Sequence, residues 1–284
     1  MNNCIICNHN LVPEVKFNKN KYLLSCPQCL LKTLYPYPLR DQLLKFYNHK
    51  DYFTRNLAQL HDDLKLDYYK NSPIIKLYLK HLNKILQYKS PPANLLEIGC
   101  ARGVFLDLAR KHNYQISGLE INNYAARYAK KYFNLKVIQK PIESLISNKK
   151  YDIIVALDLI EHLLDPKNFI KKLNSLLNPR GIVLIGTPNS QSIIYYIAKH
   201  LAQKFQYYYP LYRFLGQGKE HLFIFNQNNL SKLLQLSGFQ IINIYKYNIP
   251  INNICKINNL EKMVLKLLML NPYEIALIAQ KKSS

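Results

Sequence analysis

Six cysteines, two Glu-His pairs and one glycine-bearing turn hold the side chains of this chain that could do chemistry. Four of the cysteines form two Cys-x-x-Cys pairs, Cys4/Cys7 and Cys26/Cys29, with 18 residues between the pairs. A two-residue spacer lets both thiolates of a pair face one ion from a tight turn. Two such turns joined by a hairpin complete a tetrahedral sulfur site for Zn²⁺. Val12, Val15, Phe17, Tyr22, Leu23 and Leu24 suit the strands of that hairpin. Four thiolates close the coordination shell, so the expected zinc is structural and His9 is expected at the surface. A disulfide pairing is the alternative, and a reducing compartment disfavours it. Cys100 and Cys255 have no partner in the spacing and read as reduced thiols.

Glu161-His162 and Glu220-His221 place an imidazole beside a carboxylate, which suits a general base where a hydroxyl or an activated carbon must lose a proton. His221, with Glu220, is the candidate catalytic pair. A structural histidine holding its segment is the competing reading there; for Glu161-His162 it is a residue pair that caps and orients a loop. The third feature is Glu97-Ile98-Gly99-Cys100-Ala101-Arg102-Gly103. Gly99 and Gly103 mark a place where backbone turns sharply or approaches a ligand closely, although the spacing alone also fits a plain tight turn. Glu120 stands 21 residues beyond Gly99 at the end of the next apolar run. A carboxylate there can accept hydrogen bonds from both hydroxyls of a ribose; a solvated strand-end carboxylate is the alternative.

These residues need elements to position them. Ser72-Pro73 opens an amphipathic helix to about residue 88, with Ile74, Leu77, Tyr78, Leu82 and Ile85 on one face, and Pro91-Pro92 breaks it. Strands are predicted at 94–98, 115–119, 135–139, 151–157 and 181–186, with helices near 103–112, 122–133 and 165–177 between them. This alternation predicts an α/β fold with a parallel sheet covered on both faces. Its ligand binds beyond the carboxyl ends of the strands, where strand order reverses. The tail reads as a helix (227–237) stopped by Gly238, a strand near 239–247, and a last strand at 273–280. After the cysteines, Leu30-Leu31-Lys32-Thr33-Leu34-Tyr35-Pro36-Tyr37-Pro38 reads as an extended connector marked by its prolines, followed by a helix from about Asp41 to Asn48.

The region from about 73 to 190 resembles the class I S-adenosylmethionine-dependent methyltransferases. Glu97 to Gly103 is similar to their first motif, with Ala101 in place of the middle glycine. Tyr151-Asp152-Ile153-Ile154-Val155-Ala156-Leu157-Asp158-Leu159-Ile160-Glu161-His162-Leu163-Leu164-Asp165-Pro166 resembles the fourth-strand motif, and Asn178 to Asn189 the turn and fifth strand. The resemblance implies a Rossmann-like, seven-stranded, mostly parallel sheet preceded by a small zinc ribbon. It also implies S-adenosylmethionine as cofactor. Gly99, Ala101 and Gly103 would let backbone pass close to the methionine part, Glu120 would hold the ribose, Asp158 would sit near the amino-acid end, and Glu97, Cys100, Ile121 and Leu159 are the further residues expected to contact the cofactor. The family often carries an acidic residue for adenine where this chain has Lys140-Pro141, so Ile142 or a neighbour is expected to hold the adenine instead. The zinc pairs, the proline connector and Glu220-His221 together resemble sugar C-methyltransferases, whose Tyr-x-Glu-His motif supplies the base. Here Gly218 holds the tyrosine position, which leaves O-methylation of a glycan open. The implied organisation is a zinc ribbon (1–40), a helical connector and lid (41–92) and a cofactor-binding domain (93–284) with a substrate-recognition insertion at 190–226.

Composition bounds the partners. An apolar fraction of 49% argues against wholesale disorder. No apolar run reaches the roughly 18 residues of a bilayer span, and no secretory pattern opens the chain, so a cytoplasmic protein is expected. The formal charge of +22 fits either a lysine-rich composition or attraction to an anionic partner. The insertion mixes Tyr195, Tyr196, Tyr207, Tyr208, Tyr209 and Phe214 with Lys199, His200 and Lys204, which suits a lid, a peripheral membrane contact or a helical cap packed on the core. The expected acceptor is a small molecule or glycan, with RNA, a protein target or a non-catalytic binding role as the competing classes.

Overall fold

The computed structural model describes residues 3–18, 20–49, 52, 73–205, 221–250 and 271–282. The chain begins with three antiparallel strands, β1 (Val12–Asn18), β2 (Lys21–Ser25) and β3 (Lys32–Tyr35), followed by α1 (Arg40–Asn48) and α2 (Pro73–Leu86). An alternating unit then gives β4 (Asn94–Ile98), α3 (Val104–Lys111), β5 (Gln115–Leu119), α4 (Asn123–Phe133), β6 (Val137–Ile138), β7 (Tyr151–Leu157), α5 (Pro166–Leu176) and β8 (Leu177–Pro188). After it come α6 (Ile193–Phe205), β9 (Phe223–Ile224), α7 (Gln227–Leu236), β10 (Phe239–Tyr247) and β11 (Glu274–Lys281).

The seven-stranded sheet runs β10-β11-β8-β7-β4-β5-β6. Strands β8-β7-β4-β5-β6 are parallel, and β11 is antiparallel to both β8 and β10. The chain steps outward from β4 in one direction and returns to build β7 and β8 in the other. The carboxyl ends of β4 and β7 are therefore the switch point, where a crevice opens. Period-two alternation explains why the sheet is buried on both faces. Leu95, Ile153, Val155, Ile182 and Leu184 point to one core; Leu96, Ile98, Ile154, Val183 and Ile185 point to the other. Each fully buried Leu or Ile contributes about 1.5–3 kcal/mol relative to exposure.

The first core is closed by α2, α3 and α4 through Ile85, Phe105 and Ala129. The second is closed by α5 and α7, and also by Cys4, Ile6, Cys26 and Leu31 from the cysteine hairpin. The start of the chain is thus packed into the main core. Its three strands gain a fourth, β9, giving a small antiparallel sheet β1-β2-β3-β9. Residues 32–35, read in sequence as the start of an extended connector, form the third of these strands. Helix α6 lies across this sheet, with Tyr195 and Ala198 against Val15, Leu23 and Ile224. Lys32 and Lys199, whose Nζ lies 2.6 Å from Glu14 Oε1, pair with Glu14 at the same contact. Tyr195 is buried and Tyr196 exposed, so this part of the insertion is a helical cap on the core. Residues 206–220 and 251–270, which include Glu220, Tyr207, Tyr208, Tyr209, Phe214 and Cys255, lie outside the described residues. Among the described residues no helix is long and apolar enough to cross a membrane.

Gly103 caps α3 at φ 81°, and an added Cβ would stand 2.6 Å from Leu135 Cδ1 and 2.9 Å from Ala129 Cβ. The left-handed backbone costs a non-glycine residue about 1–2 kcal/mol, and overpacking costs about 1–3 kcal/mol more. Gly103→Ala is therefore expected to lower Tm by roughly 5–10 °C in calorimetry. A change below about 2 °C would mean that α3 and α4 separate without cost.

Candidate active site

The turn after β4 and the ends of β5 and β7 build one wall of a cavity of about 820 Å³. Gly99 (φ 73°) and Ala101 (φ 47°) both adopt left-handed backbone, so the alanine occupies a conformation that glycine ordinarily supplies. The Gly99 and Cys100 amides donate to Leu119 O, at 2.8 and 3.1 Å, and tie the turn to β5. Glu120 completes the tie: its Oε2 accepts from the Ala101 amide at 2.9 Å and its Oε1 from the Asn122 amide at 2.7 Å. Burial raises the Glu120 carboxyl above the ordinary range, against these amides, which pull it down. Glu97 is also buried, and its Oε2 has no hydrogen-bond partner. Its carboxyl is pushed well up by burial and by neighbouring Glu120. Asp158 ends β7 at φ 49° with its carboxyl in the cavity, and burial pushes it up to about 7.

Two histidines meet in the same cavity, His162 on the turn that follows Asp158 and His221 against it. The rings of His162 and His221 stand 4.8 Å apart at 67°, and one ligand atom each from Glu161, His162 and His221 lies within 4.8 Å of the other two. Supports orient each group. Tyr47 OH shares a hydrogen bond with His162 Nδ1 at 3.0 Å, which turns Nε2 toward Glu161 Oε1 at 3.9 Å. Thr187 donates to Glu161 Oε2 at 2.9 Å. Glu161 Oε1 is buried with no hydrogen-bond partner, and burial with nearby Asp158 raises the carboxyl well above its usual range. Chemically the trio can pass a proton, and its donor set could also hold a divalent cation.

The four cysteines form a second, separate cluster. Cys4 Sγ lies 3.5 Å from Cys29 Sγ, and Cys7 Sγ 3.3 Å from Cys26 Sγ, so each contact joins one pair to the other. All four sulfurs fall within 4.8 Å of one another. A tetrahedral zinc with bonds of about 2.3 Å sets sulfurs roughly 3.8 Å apart, so the residues fit that ion. Each turn is made by a left-handed residue just past its second cysteine, Asn8 (φ 61°) and Leu30 (φ 60°). Four thiolates would fill a tetrahedral shell and leave no position on the ion for a substrate. His9 is exposed beside it.

Of the residues marked in the sequence, Glu97, Gly99, Cys100, Ala101, Glu120, Ile121, Ile142, Asp158, Leu159 and His221 line this cavity. Gly103 stands behind it as the α3 cap, and Glu220 lies outside the described residues. Tyr47, Thr187 and Arg40 belong to the site's surroundings and carry no mark in the sequence; only the fold brings them there.

A family model described as a methyltransferase domain matches residues 71–244, more than half of the chain. The chain belongs to that family. Among curated relatives, the ubiquinone biosynthesis O-methyltransferase of Rickettsia canadensis is 28% identical over 135 residues, covering 46% of this chain and 55% of the relative. That of Coxiella burnetii is 26% identical over 117 residues, covering 39% and 49%. The chain spans about half the length of the curated relatives it matches. Among solved structures, the magnesium protoporphyrin IX methyltransferase of Synechocystis PCC 6803 superposes with a TM-score of 0.59 at 13% identity, covering 86% of this chain and all of that one. The N-methyltransferase NodS of Bradyrhizobium japonicum WM9 gives 0.55 at 13% identity, covering 83% and 100%. Both were solved with S-adenosylhomocysteine.

Proposed function

We propose that this protein binds S-adenosylmethionine at the β4/β7 switch point and methylates a hydroxyl of a small, largely apolar acceptor. The observation that carries the reading is one cavity lined both by the cofactor-type turn with Glu120 and Asp158 and by His221. S-adenosylmethionine, when bound, supplies an electrophilic methyl group on a sulfonium. The residues fit it. The orphaned Glu97 Oε2 and the Asp158 carboxyl suit the ammonium of its amino-acid end, Glu120 suits the ribose hydroxyls, Ile142 suits the adenine, and Ile121 and Leu159 add apolar contact along the cofactor. Leu43, Leu44, Tyr47, Ile74 and Tyr78 supply apolar cover that excludes water and holds an acceptor in line. His221 takes the acceptor's proton, and His162 and Glu161 orient it and share the charge. On this reading the zinc-bound ribbon (1–40) and the connector (41–92) wall the acceptor side of the domain at 93–284. The cysteine cluster supports a structural Zn²⁺ in the ribbon.

The names of the curated relatives support oxygen as the accepting atom. The ribbon and His221 also support the sugar-type reading, in which the hydroxyl belongs to a nucleotide- or lipid-linked sugar. The test is formation of S-adenosylhomocysteine with a panel of hydroxylated aromatics and a panel of nucleotide sugars. Turnover with aromatics alone is expected; turnover with sugars alone would move the acceptor class, and no binding of cofactor or product in calorimetry would end the proposal.

Asp158 adds a pH dependence. Without ligand it keeps its proton up to about pH 7. An ammonium beside it favours the ionised form, so affinity rises as pH climbs through that value and falls below it. S-adenosylhomocysteine is expected to bind about tenfold more weakly at pH 6 than at pH 8. Asp158→Asn is expected to flatten the dependence, and an unchanged slope in that variant would remove Asp158 from the cofactor contact.

A further inference from the structure

The cysteine cluster and His221 are joined by a short, continuous set of contacts. Cys26 and Cys29 form the second metal turn, closed by the Cys26 amide donating to Leu31 O at 2.8 Å. Four residues past Cys29, Thr33 pairs with Phe223 in the small sheet. The Leu222 carbonyl accepts two bonds from this strand, one from the Leu34 amide and one from Thr33 Oγ1, both at 2.9 Å. With its proton committed to that carbonyl, Thr33 Oγ1 accepts from Tyr37 OH at 2.7 Å, and the Tyr37 ring packs on Phe223 at 5.7 Å. On its other side Leu222 donates its amide to Glu161 O at 2.7 Å. Leu222 is fully buried. A third link runs from Asn229, at the start of α7, to Cys29 O at 3.2 Å.

His221 therefore stands two residues before β9, next to a Leu222 held between the strand that follows the cysteine turn and the loop that carries Glu161 and His162. Among the described residues, the hydrogen bonds of Gly99, Ala101 and Glu120 run to one another, to β5 and to Asn122, whose side chain meets the Tyr47 and His49 carbonyls at the end of α1 rather than the cysteine turns.

We propose that Thr33 is the positioning residue for His221 and that metal binding by Cys4, Cys7, Cys26 and Cys29 holds Thr33 in register, so the ribbon sets the acceptor side of the site and leaves the cofactor side untouched. The role given to His221 rests on the function proposed above; the link from metal to His221 does not. A closed four-sulfur site suits this task because its ion braces the turn without meeting substrate. A Leu222 carbonyl with two donors also resists a slip of register, since moving one residue would strand both.

The test uses the full-length protein and needs no acceptor. Zinc is quantified, then stripped with a chelator, and three things are read: amide exchange, the imidazole resonances of His221 assigned through His221→Gln, and affinity for S-adenosylhomocysteine. On metal loss the amides of residues 222–224 and 32–35 are expected to exchange at least tenfold faster. The His221 signal is expected to move, while 95–98 and 116–119 stay protected and affinity changes less than threefold. Because stripping could unfold more than the ribbon, Thr33→Val serves as a second variant that keeps all four thiolates. It is expected to shift the His221 signal with zinc still bound, and Thr33→Ser to restore it. An unmoved His221 signal in Thr33→Val, faster exchange spread evenly over both sheets, or a protein that binds no zinc would each overturn the proposal. Loss of cofactor binding with the His221 link intact would instead count against the function proposed above.

Discussion

His221→Ala is expected to slow methyl transfer by about 10²–10⁴-fold, the usual contribution of a positioned general base, while S-adenosylhomocysteine binds within threefold of the parent affinity. The separation follows from geometry. His221 and the cofactor wall line one cavity, and the hydrogen bonds of the Gly99–Glu120 tie run to Leu119, Ala101 and Asn122 rather than to the histidine. The loss should fall on kcat, because a base acts on the proton that leaves as the methyl group arrives. His162→Ala should cost less, since His162 meets His221 edge-on and is itself held by Tyr47. Tyr47→Phe removes that hold and is expected to follow His162→Ala in direction. Single-turnover rates with the best acceptor of the panels check the order. Near-parental rates for His221→Ala would leave proton removal to Glu161 or to solvent.

Much of the scaffold is legible in the sequence because the signals are local. The strands at 94–98, 115–119 and 151–157 have the predicted bounds, since each is an apolar run stopped by glycine, a carboxylate or proline. Helix α5 starts where Asp165-Pro166 predicts it: the Asp165 side chain accepts from the Asn168 amide at 2.9 Å. What escapes is non-local. The first strand of the turn motif names the cofactor wall, but His162 and His221 are 59 positions apart, and no periodicity announces that they meet. Strand β3 reads as a connector because it is short and runs into the prolines; it pairs with β2 nearby, and its other partner, β9, comes from a distant part of the chain, the Thr33–Leu222 bond spanning 189 positions. Strand β8 begins at Leu177, four residues before the predicted start, because pairing of Leu177 with Tyr151 carries the strand through Asn178-Pro179, a pair that alone reads as a turn. Ala101 is the converse case. Its residue type argues against a left-handed backbone, and the bond from its amide to Glu120 holds it there.

Glu120→Ala is expected to weaken binding of S-adenosylhomocysteine by at least about 10²-fold. Two hydrogen bonds from ribose hydroxyls to a carboxylate are worth about 1.5–3 kcal/mol each. Truncation also strands the Ala101 and Asn122 amides that the carboxylate now accepts, so the turn would loosen even without ligand. A stability loss of about 1–3 kcal/mol in the ligand-free protein is the expected sign of that second effect. The two contributions separate in a cycle that pairs Glu120→Ala with the 2′,3′-dideoxy analogue of S-adenosylhomocysteine. If the carboxylate holds the ribose, the variant should bind the analogue about as well as the parent does, apart from the cost of the loosened turn. Glu120→Gln keeps the shape and one acceptor oxygen, and should fall between, about tenfold weaker than the parent. Equal losses for the natural ligand and the analogue would mean that Glu120 serves the turn alone. The ribose would then be held elsewhere along the end of β5, and the cofactor wall would have to be redrawn around Ile121 and Asn122.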